Sequence, residues 1–332
     1  MPLKYVPALA LAAAMSSGAA KANDSIAELG AGGVLLARTD AVELAREQLF
    51  LSAERVTVDY VFVNRTGSDV ETVVAFPMPV VSMGYDTMPP VVSPEDNNFM
   101  DFSVVHDGAP ITPELDQRAM ALGIDVTRDL EARNVPLMPL SNAAWKALEK
   151  LDDGLTSDWV ARGIVSLQEW DEGGGMQAHR LPRWELASTF WWRSTFPAGG
   201  EVAVSHRYTP AVGASAGVFF INPDGSRNEV YNDYAARYCI DDSFEQAVAK
   251  AVKSGVYFTE KRIDYVLTSG GNWASGLIGD FRMTIDKGDP GNLVSFCGTG
   301  VKKTAPTQFQ MSATDFYPEK DIHILILERL QQ

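Results

Sequence analysis

Apolar and polar residues alternate along the first third of the chain, a pattern that is typical of half-buried β-strands. The alternation runs over residues 56–62, stops at a turn-forming segment over 64–69, and resumes over 70–76. The Phe-Pro-Met-Pro segment at 76–79 ends the second run, because proline has no N–H to donate to a neighbouring strand. We therefore predict a β-hairpin from these two runs.

Residues 111–180 show a different, helix-like pattern. Thr112 followed by Pro113 is typical of a helix N-terminus, and the apolar residues from there to Leu130 fall mainly on one helical face. Ser141 stands where it can cap a second helix. The pattern predicts a helical insertion over 111–180.

Alternation returns after the insertion, on both sides of a Pro-Ala-Gly-Gly turn at 197–200. Trp192 and His206 belong to the apolar parity of the two strands, and Trp191 and Arg207 belong to the other parity. Pairing the strands as a hairpin sets Trp192 opposite His206 and Trp191 opposite Arg207. A slip by one residue would turn every side chain to the wrong face, so this register is the prediction.

The C-terminal part contains one clearly marked helix and several strands. Ser243 with Gln246 forms a capping box and Gly255 follows the last turn, which predicts a helix over 243–254. The run 321–329 is apolar on both parities, as expected for a central strand that is covered on both faces. Further strands are predicted near 262–268, 280–286, 293–297 and 307–315.

These elements predict an α+β fold, in which antiparallel, sandwich-like β-sheets carry a helical insertion and one further well-capped helix. The predicted regions are a signal peptide (1–22), an N-terminal β region (23–110), the helical insertion (111–180) and a C-terminal β-rich region (181–332). We expect residues 23–332 to form one compact unit.

The first residues have the three parts of a secretory signal peptide. Lys4 gives a positive start, residues 6–15 are apolar apart from one proline, and an Ala-Lys-Ala sequence at 20–22 offers small residues to a signal peptidase. We predict cleavage between Ala22 and Asn23. The apolar run is shorter than the ~20 residues that a membrane-spanning helix needs. The predicted product is a periplasmic protein without a transmembrane segment.

Composition and charge narrow the range of partners. The 332 residues include 28 Lys and Arg against 43 Asp and Glu, which gives a formal net charge of −15. A surface this acidic repels the phosphate backbone of nucleic acids, so general nucleic-acid binding is excluded. The hydrophobic content of 46% is ample for a packed core and argues against disorder.

Cys239 and Cys297 are the two cysteines of the chain. A small, even number of cysteines in an oxidising compartment is typical of a disulfide. Neither cysteine belongs to a C-x-x-C redox motif, and with four histidines in the chain no Cys/His set has the spacing of a zinc site. We predict one intramolecular disulfide and no metal site.

The motifs that usually mark catalysis do not occur: there is no G-x-S-x-G, H-E-x-x-H or S-x-x-K sequence. The glycine-rich segment at 30–33 departs from a dinucleotide-binding loop, and the oxygen-bearing side chains over 222–233 depart from a calcium-binding loop. Both are predicted turns, and no cofactor is predicted. A Ser/His/Asp triad could still assemble from distant residues. His206 and His323 lie on buried parities, whereas His179 is predicted to be exposed.

Trp191, Arg193 and Arg207 form the candidate binding surface. The predicted register places Trp191 on the solvent side, flanked by Arg193 and opposite Arg207. An exposed aromatic ring beside guanidinium groups suits a glycan or protein partner, through stacking and cation–π contacts. The alternative is that another element covers this face and makes Trp191 part of a second core layer, which is the commoner fate of a tryptophan. Both interpretations stay open at this point.

Several segments together resemble the bacterial domain-of-unknown-function 4424 family. They are Asn-Asp-Ser at 23–25, Gly-Ala-Gly-Gly at 30–33, Phe-Pro-Met-Pro at 76–79, Ser-Phe-Cys-Gly at 295–298, Lys-Lys at 302–303 and Thr-Asp-Phe-Tyr-Pro-Glu-Lys-Asp at 314–321. The resemblance implies an exported protein of Gram-negative bacteria and brings no activity and no catalytic residues. Residues 56–79 also resemble the opening of vault/inter-alpha-trypsin domains, which supports a β-sandwich start but no function.

The predicted export, an aromatic-rich β framework and the absence of a catalytic motif from the sequence lead to a functional hypothesis. We expect an envelope protein that binds a protein, a glycan or a small ligand without catalysis. The alternative is a periplasmic hydrolase with an unrecognised active site. A histidine within hydrogen-bond reach of both a serine and a carboxylate, in a cleft, would favour the hydrolase.

Overall fold

The structure is a computed structural model that describes residues 24–30, 33–83, 91, 93–171 and 173–330. The predicted signal peptide and the predicted cleavage between Ala22 and Asn23 lie outside the described residues. In the described part of the chain, no helix combines the length and the apolarity that crossing a membrane requires.

The strands and helices have the following bounds. The strands are β1 Ser25–Gly30, β2 Gly33–Ala37, β3 Val42–Ser52, β4 Val56–Asn64, β5 Val70–Pro77, β6 Val81–Ser82, β7 Ser103–His106, β8 Ala109–Ile111, β9 Glu114–Ala121, β10 Ile124–Asp125, β11 Val165–Asp171, β12 Met176–Pro182, β13 Glu185–Phe196, β14 Glu201–Tyr208, β15 Gly213–Ser215, β16 Phe258–Tyr265, β17 Ile278–Asp286, β18 Leu293–Phe296, β19 Lys302–Lys303, β20 Gln308–Phe316 and β21 Ile322–Arg329. The α-helices are α1 Thr127–Glu131, α2 Asn142–Leu148, α3 Asp153–Ala161, α4 Tyr231–Tyr238 and α5 Asp242–Lys253, and short 3-10 turns cover Thr268–Asn272 and Ala274–Gly276.

Two large sheets pack face to face around the main core. The first sheet has the order β10-β9-β13-β5-β1-β2, with β6 beside β13, and the second sheet has the order β19-β20-β17-β3-β4-β14-β7-β8. The apolar parities of β4, β5, β13 and β14 all point into the space between the sheets, where their side chains form one buried cluster. The predicted α+β fold with sandwich-like antiparallel sheets is confirmed, with one parallel pairing, β3 with β17, among the described strands.

A third sheet, β15-β16-β21-β18, closes one side of the main core. The even-numbered residues of β21, such as Ile324, belong to the main core. The odd-numbered residues, such as Leu325, pack instead against α4 and α5. The strand pairs on both edges, with β16 and β18. The predicted central strand, covered on both faces, is therefore confirmed.

Both predicted hairpins are wrong in the same way. β4 lies in the second sheet and β5 in the first, and β13 lies in the first sheet and β14 in the second. Trp192 and His206 therefore face each other across the core as an edge-to-face ring pair, with centroids 5.5 Å apart, and are not neighbours in a ladder. Alternation determines which side chains face the core, and both arrangements satisfy it.

The two loops that cross between the sheets, after β4 and after β13, are hydrogen-bonded to each other. Asn64 donates its backbone N–H to Gly200 O at 3.1 Å, and Gly199 donates its own to Thr66 O at 3.2 Å. The buried side chain of Asn64 also donates to Phe196 O at 2.9 Å. These bonds satisfy backbone groups that a hairpin would have paired along its own ladder.

The helix predicted from Thr112 is wrong. Residues 114–121 form β9, which pairs with β13 over residues 114–120. Leu122 and Gly123 both have positive φ values, 50° and 79°, which is the geometry of a two-residue hairpin turn into β10. Long-range pairing with a central strand thus outweighs a weak helical pattern. The region 111–180 holds α1, α2 and α3 together with strands and is not a purely helical insertion.

The helix caps are partly as predicted. Ser141 caps α2 by accepting the Ala144 N–H at 3.0 Å, which confirms that prediction. Helix α5 begins one residue before the predicted start, and its cap is Asp241 rather than Ser243. The Asp241 carboxylate accepts the Phe244 N–H at 2.7 Å, and the Ser243 hydroxyl also donates to it.

The predicted disulfide between Cys239 and Cys297 is present, with Cα atoms 5.0 Å apart. Cys239 ends α4 in a left-handed conformation, and Cys297 follows β18. The bridge therefore ties the helical layer to an edge strand of the third sheet.

Candidate functional site: the outer face of the second sheet

Strand register places polar side chains in rows across the outer face of the second sheet. The central row consists of Ser312, Arg282, Gln48, Asp59 and Ser205. The row on one side consists of Thr314, Asp280, Arg46, Val61 and Ala203, and the row on the other consists of Gln310, Thr284, Phe50, Thr57 and Arg207. We call these rows the polar face.

A β-bulge in β3 creates the polar face. The pairing of β3 with β4 shifts between Leu44 and Arg46, so one residue is inserted at Ala45. The buried side chains of β3 are therefore Val42 and Leu44 before the bulge and Glu47, Leu49 and Leu51 after it. Arg46 and Gln48 point outwards. A Cβ on Gly279 of β17 would lie 2.6 Å from Ala45 O, so only glycine fits beside the bulge.

The polar face contains a shallow depression of about 460 Å³. Its lining includes the small side chains of Val61, Ala203 and Ser205 and the longer side chains of Arg46 and Gln48. Cavities of this size are typical of small-ligand sites.

The charges of the polar face differ from those of the whole chain. Arg46, Arg207 and Arg282 are exposed there, against Asp59 and Asp280. Asp59 accepts a 2.5 Å hydrogen bond from the Ser205 hydroxyl, which orients the carboxylate at the edge of the depression. In a chain with a net charge of −15, these rows carry more positive than negative groups and present planar guanidinium donors to a ligand.

A larger depression, of about 840 Å³, lies at the edge of the third sheet. Much of its wall consists of the turns at 254–256 and 291–292. Of its charged groups, Glu328 already accepts a 2.8 Å bond from Lys261. The polar face is the better candidate, because strand pairing holds its side chains at regular spacings.

The structure separates the predicted binding residues. Arg207 lies on the polar face, whereas Trp191 and Arg193 lie on the outer face of the first sheet, on the opposite side of the sandwich. Trp191 stands opposite Ala75 and Glu114, not opposite Arg207. A single surface formed by all three residues is therefore wrong, and the binding role of each remains a prediction.

Trp191 is half-buried in a small apolar cluster on the outer face of the first sheet. Its neighbours there are Ala27, Val73, Ala75, Val34 and Leu36. Neither interpretation of the sequence holds completely. Apolar side chains of β1, β2 and β5 pack against part of the ring, and the rest of it is exposed to solvent.

Trp191→Ala is expected to lower the free energy of unfolding by about 2 kcal/mol, because full burial of such a ring is worth about 3–5 kcal/mol and this one is half-covered. Urea denaturation measures the change. Arg193→Ala, at an exposed position on the same face, is the control and should change stability by less than about 0.5 kcal/mol. Equal changes in the free energy of unfolding for the two substitutions would show that the cluster around Trp191 does not stabilise the fold.

One histidine contacts a serine as a hydrolase would require. His106 Nε2 lies 2.8 Å from Ser194 Oγ, and its Nδ1 lies 3.9 Å from Asp107 Oδ2, which is beyond hydrogen-bond distance. Ser194 faces the sandwich interior and is only 4% exposed. The pair joins the two large sheets across the core, and its hydroxyl is not presented to a substrate.

The other histidines also have structural partners. His323 Nδ1 lies 2.6 Å from Asp264 Oδ1. His179, which was predicted to be exposed, is half-buried, and its ring stacks on Trp170 with centroids 3.6 Å apart.

The turn predicted at 222–225 is present, closed by the Gly225 N–H donating to Asn222 O at 2.8 Å.

A cluster of ionisable side chains lies in the main core. Asp24 and Glu47 are completely buried, and Asp24 Oδ1 lies 3.4 Å from His206 Nε2. Burial lowers the pKa of His206 to about 3, so the imidazole is neutral at pH 7. Burial and the nearby charge of Glu47 raise the pKa of Asp24 well above its usual value. Sequence alternation missed this cluster because the bulge at Ala45 turns Glu47 inwards.

The chain is similar to a described family and to a solved structure. The family model "Domain of unknown function (DUF4424)" matches residues 22–325. No curated protein matches the chain. A solved structure described as "a putative nutrient binding protein" from Legionella pneumophila is 12% identical, with a TM-score of 0.43 over 91% of this chain and 72% of that chain. At that TM-score the similarity carries no conclusion about this chain.

Proposed function

The chain belongs to the family of unknown function DUF4424, and from that premise we propose that it is an exported envelope protein that binds an acidic glycan, without catalysis, on its polar face. The single observation that carries the ligand proposal is the row structure of this face, which aligns arginine, amide, carboxylate and hydroxyl side chains around a depression of about 460 Å³.

Features at the N-terminus support export to the periplasm. A positive start, an apolar run over 6–15 and small residues before Asn23 form a signal-peptide pattern. The disulfide between Cys239 and Cys297 agrees with an oxidising compartment.

The chemistry of the polar face supports a glycan as the ligand. Arginine binds carboxylate groups with two parallel hydrogen bonds, and the amide of Gln48 and the carboxylate of Asp59 can bind sugar hydroxyls. The half-buried ring of Phe50 lies in the same rows, with the guanidinium of Arg55 over it, 5.4 Å from the ring centroid, which adds a further cation to this surface. Rows of such groups across several strands suit an extended polar chain.

The double substitution Arg46→Ala with Arg282→Ala is expected to weaken glycan binding at least tenfold, because each hydrogen bond to a charged group is worth about 1.5–3 kcal/mol. The measurement is retention on an array of uronic-acid-containing and neutral oligosaccharides, followed by titration of the best ligand. Higher salt should weaken wild-type binding.

The matched control is Arg65→Ala with Arg133→Ala, which removes two exposed arginines outside the polar face. The control should bind like the wild type, and both double variants should unfold at the wild-type denaturant concentration. Failure of the wild type to retain any acidic oligosaccharide would reject the ligand, and equal loss in both variants would reject the location.

A further inference from the structure

We propose that the disulfide between Cys239 and Cys297 is a site of reversible exchange with a dithiol, at which His323, oriented by Asp264, transfers a proton to and from the sulfur of Cys297. The site lies on the side of the third sheet that α4 covers. It is therefore independent of the polar face and of the proposed ligand.

Strand register brings His323 to the disulfide. β18 pairs with β21 as far as Phe296, which stands opposite Ile324. Cys297 is the next residue, so the same register places it opposite His323, on the face of the third sheet that packs against α4. Side chains that stand opposite each other in antiparallel strands have Cβ atoms about 4.5–5.5 Å apart. The imidazole of His323 and the sulfur of Cys297 are therefore neighbours.

Hydrogen bonds orient the imidazole of His323. Its Nδ1 lies 2.6 Å from Asp264 Oδ1, and Asp264 Oδ2 accepts a 3.0 Å bond from the Arg237 guanidinium. Burial opposes the ionisation of Asp264, but the hydrogen bond with His323 and the charge of Arg237 outweigh it and lower the pKa of Asp264. Because β16 and β18 flank β21 on opposite sides, Nε2 is the ring nitrogen for proton transfer with Cys297.

The disulfide is accessible to a partner. Both Cys239 and Cys297 are exposed, and exposed disulfides are the ones that thiols reduce most readily. Cys297 Sγ also lies 3.7 Å from Arg237 O, a carbonyl that can accept the S–H group formed on reduction. The surroundings of Cys297 therefore suit a leaving sulfur that becomes a thiol.

The exchange conserves atoms and electrons. A thiolate of the dithiol attacks Cys239 Sγ, the bond between Cys239 and Cys297 breaks, and Cys297 Sγ leaves with the electron pair and takes a proton from His323 Nε2. The second thiol of the dithiol, after losing its proton to solvent, attacks the partner's sulfur in the mixed disulfide and releases the Cys239 thiolate. The protein has then gained two electrons, the dithiol has become a disulfide, and solvent returns a proton to His323 and to Cys239. In the reverse direction His323 takes the proton of Cys297.

The test follows reduction of the folded, disulfide-bonded protein by dithiothreitol at pH 7, with iodoacetamide alkylation and mass spectrometry. His323→Ala is expected to slow reduction at least tenfold, because proton transfer by a positioned side chain contributes about 10²–10⁴-fold to a rate. Added imidazole should restore part of the rate in this variant and leave the wild-type rate unchanged. A histidine that only stabilises the fold would give the opposite result, because a destabilised protein opens more often and is reduced faster.

Asp264→Asn tests the orientation of His323 and should slow reduction at least threefold. The matched control is Asp233→Asn, which removes an exposed carboxylate from the first turn of α4, at the other end of the helix from Cys239. The control should be reduced at the wild-type rate, since its change of charge is the same. Equal slowing in the two variants would show that Asp264 acts through net charge and not through His323.

Two single-cysteine variants test the place of proton transfer. Cys239→Ser keeps the thiol of Cys297 beside His323, whereas Cys297→Ser keeps the thiol of Cys239. At pH 7 we expect Cys297 to react with dipyridyl disulfide at least tenfold faster than Cys239, and we expect His323→Ala to remove the difference. Equal reactivity of the two thiols would overturn the proposal. So would a wild-type reduction rate that stops rising with dithiothreitol at the rate of global unfolding.

Discussion

A double variant with Cys239→Ser and Cys297→Ser is expected to have a free energy of unfolding about 4 kcal/mol lower than that of the disulfide-bonded protein. The two cysteines are 58 positions apart. In the chain-entropy model, a disulfide that closes a loop of this length lowers the entropy of the unfolded chain and so stabilises the folded state by about this free energy. The bridge joins the end of α4 to the third sheet, so its loss removes one of the links between the helical layer and that sheet. Urea denaturation at pH 7 measures the change.

Reduction of the wild-type protein is the control for this variant. Dithiothreitol should lower the wild-type denaturation midpoint to that of the double variant and leave the variant unchanged. A variant as stable as the oxidised wild type would show that the disulfide does not constrain the unfolded chain.

Trp273→Ala is expected to lower the free energy of unfolding by about 3–5 kcal/mol, the usual cost of truncating a buried aromatic side chain. The ring is 2% exposed, packs on Phe62 with centroids 4.2 Å apart, and contacts Phe196 at 6.0 Å. Its indole N–H also donates to Asp24 O, so the truncation leaves a buried carbonyl without that donor.

Two further substitutions test where this effect comes from. Trp273→Phe keeps most of the packing and loses the hydrogen bond, so we expect a smaller loss of about 1–3 kcal/mol. Trp170→Ala removes a half-buried tryptophan that stacks on His179 and should cost less than Trp273→Ala. Equal losses at the two tryptophan positions would contradict the central place of Trp273 in the core.

Sequence alternation predicted strands and their buried faces well, but it could not predict which sheet a strand joins. The inward residues of β4, β5, β13 and β14 are as predicted, yet both loops between them cross the sandwich. A hairpin and a crossing loop bury the same parity, so local pattern does not distinguish them. At β9 the pattern itself was weak, and pairing with β13 decided the structure.

The candidate site was harder to predict because it is assembled from distant segments. Arg207 was identified from its parity, whereas Arg46 and Arg282 meet it through pairings of β17 with β3, β3 with β4, and β4 with β14. One local signal was available: buried side chains in β3 change from even to odd positions between Leu44 and Leu49. Such a change of phase indicates a bulge, which would have shown that Arg46 points outwards.

The pairing of β3 with β17 and the bond between Asp24 and Trp273, which are 249 positions apart, have a consequence for folding kinetics. During synthesis from the N-terminus, β3 can pair with β4 early, but it lacks its second partner, β17, until more than four-fifths of the chain has been made. Folds that depend on such distant contacts close slowly, because a long loop must be ordered before the contact forms. The second sheet therefore cannot be completed until late in synthesis, and an incompletely folded chain is the form in which a polypeptide can be threaded through a membrane channel.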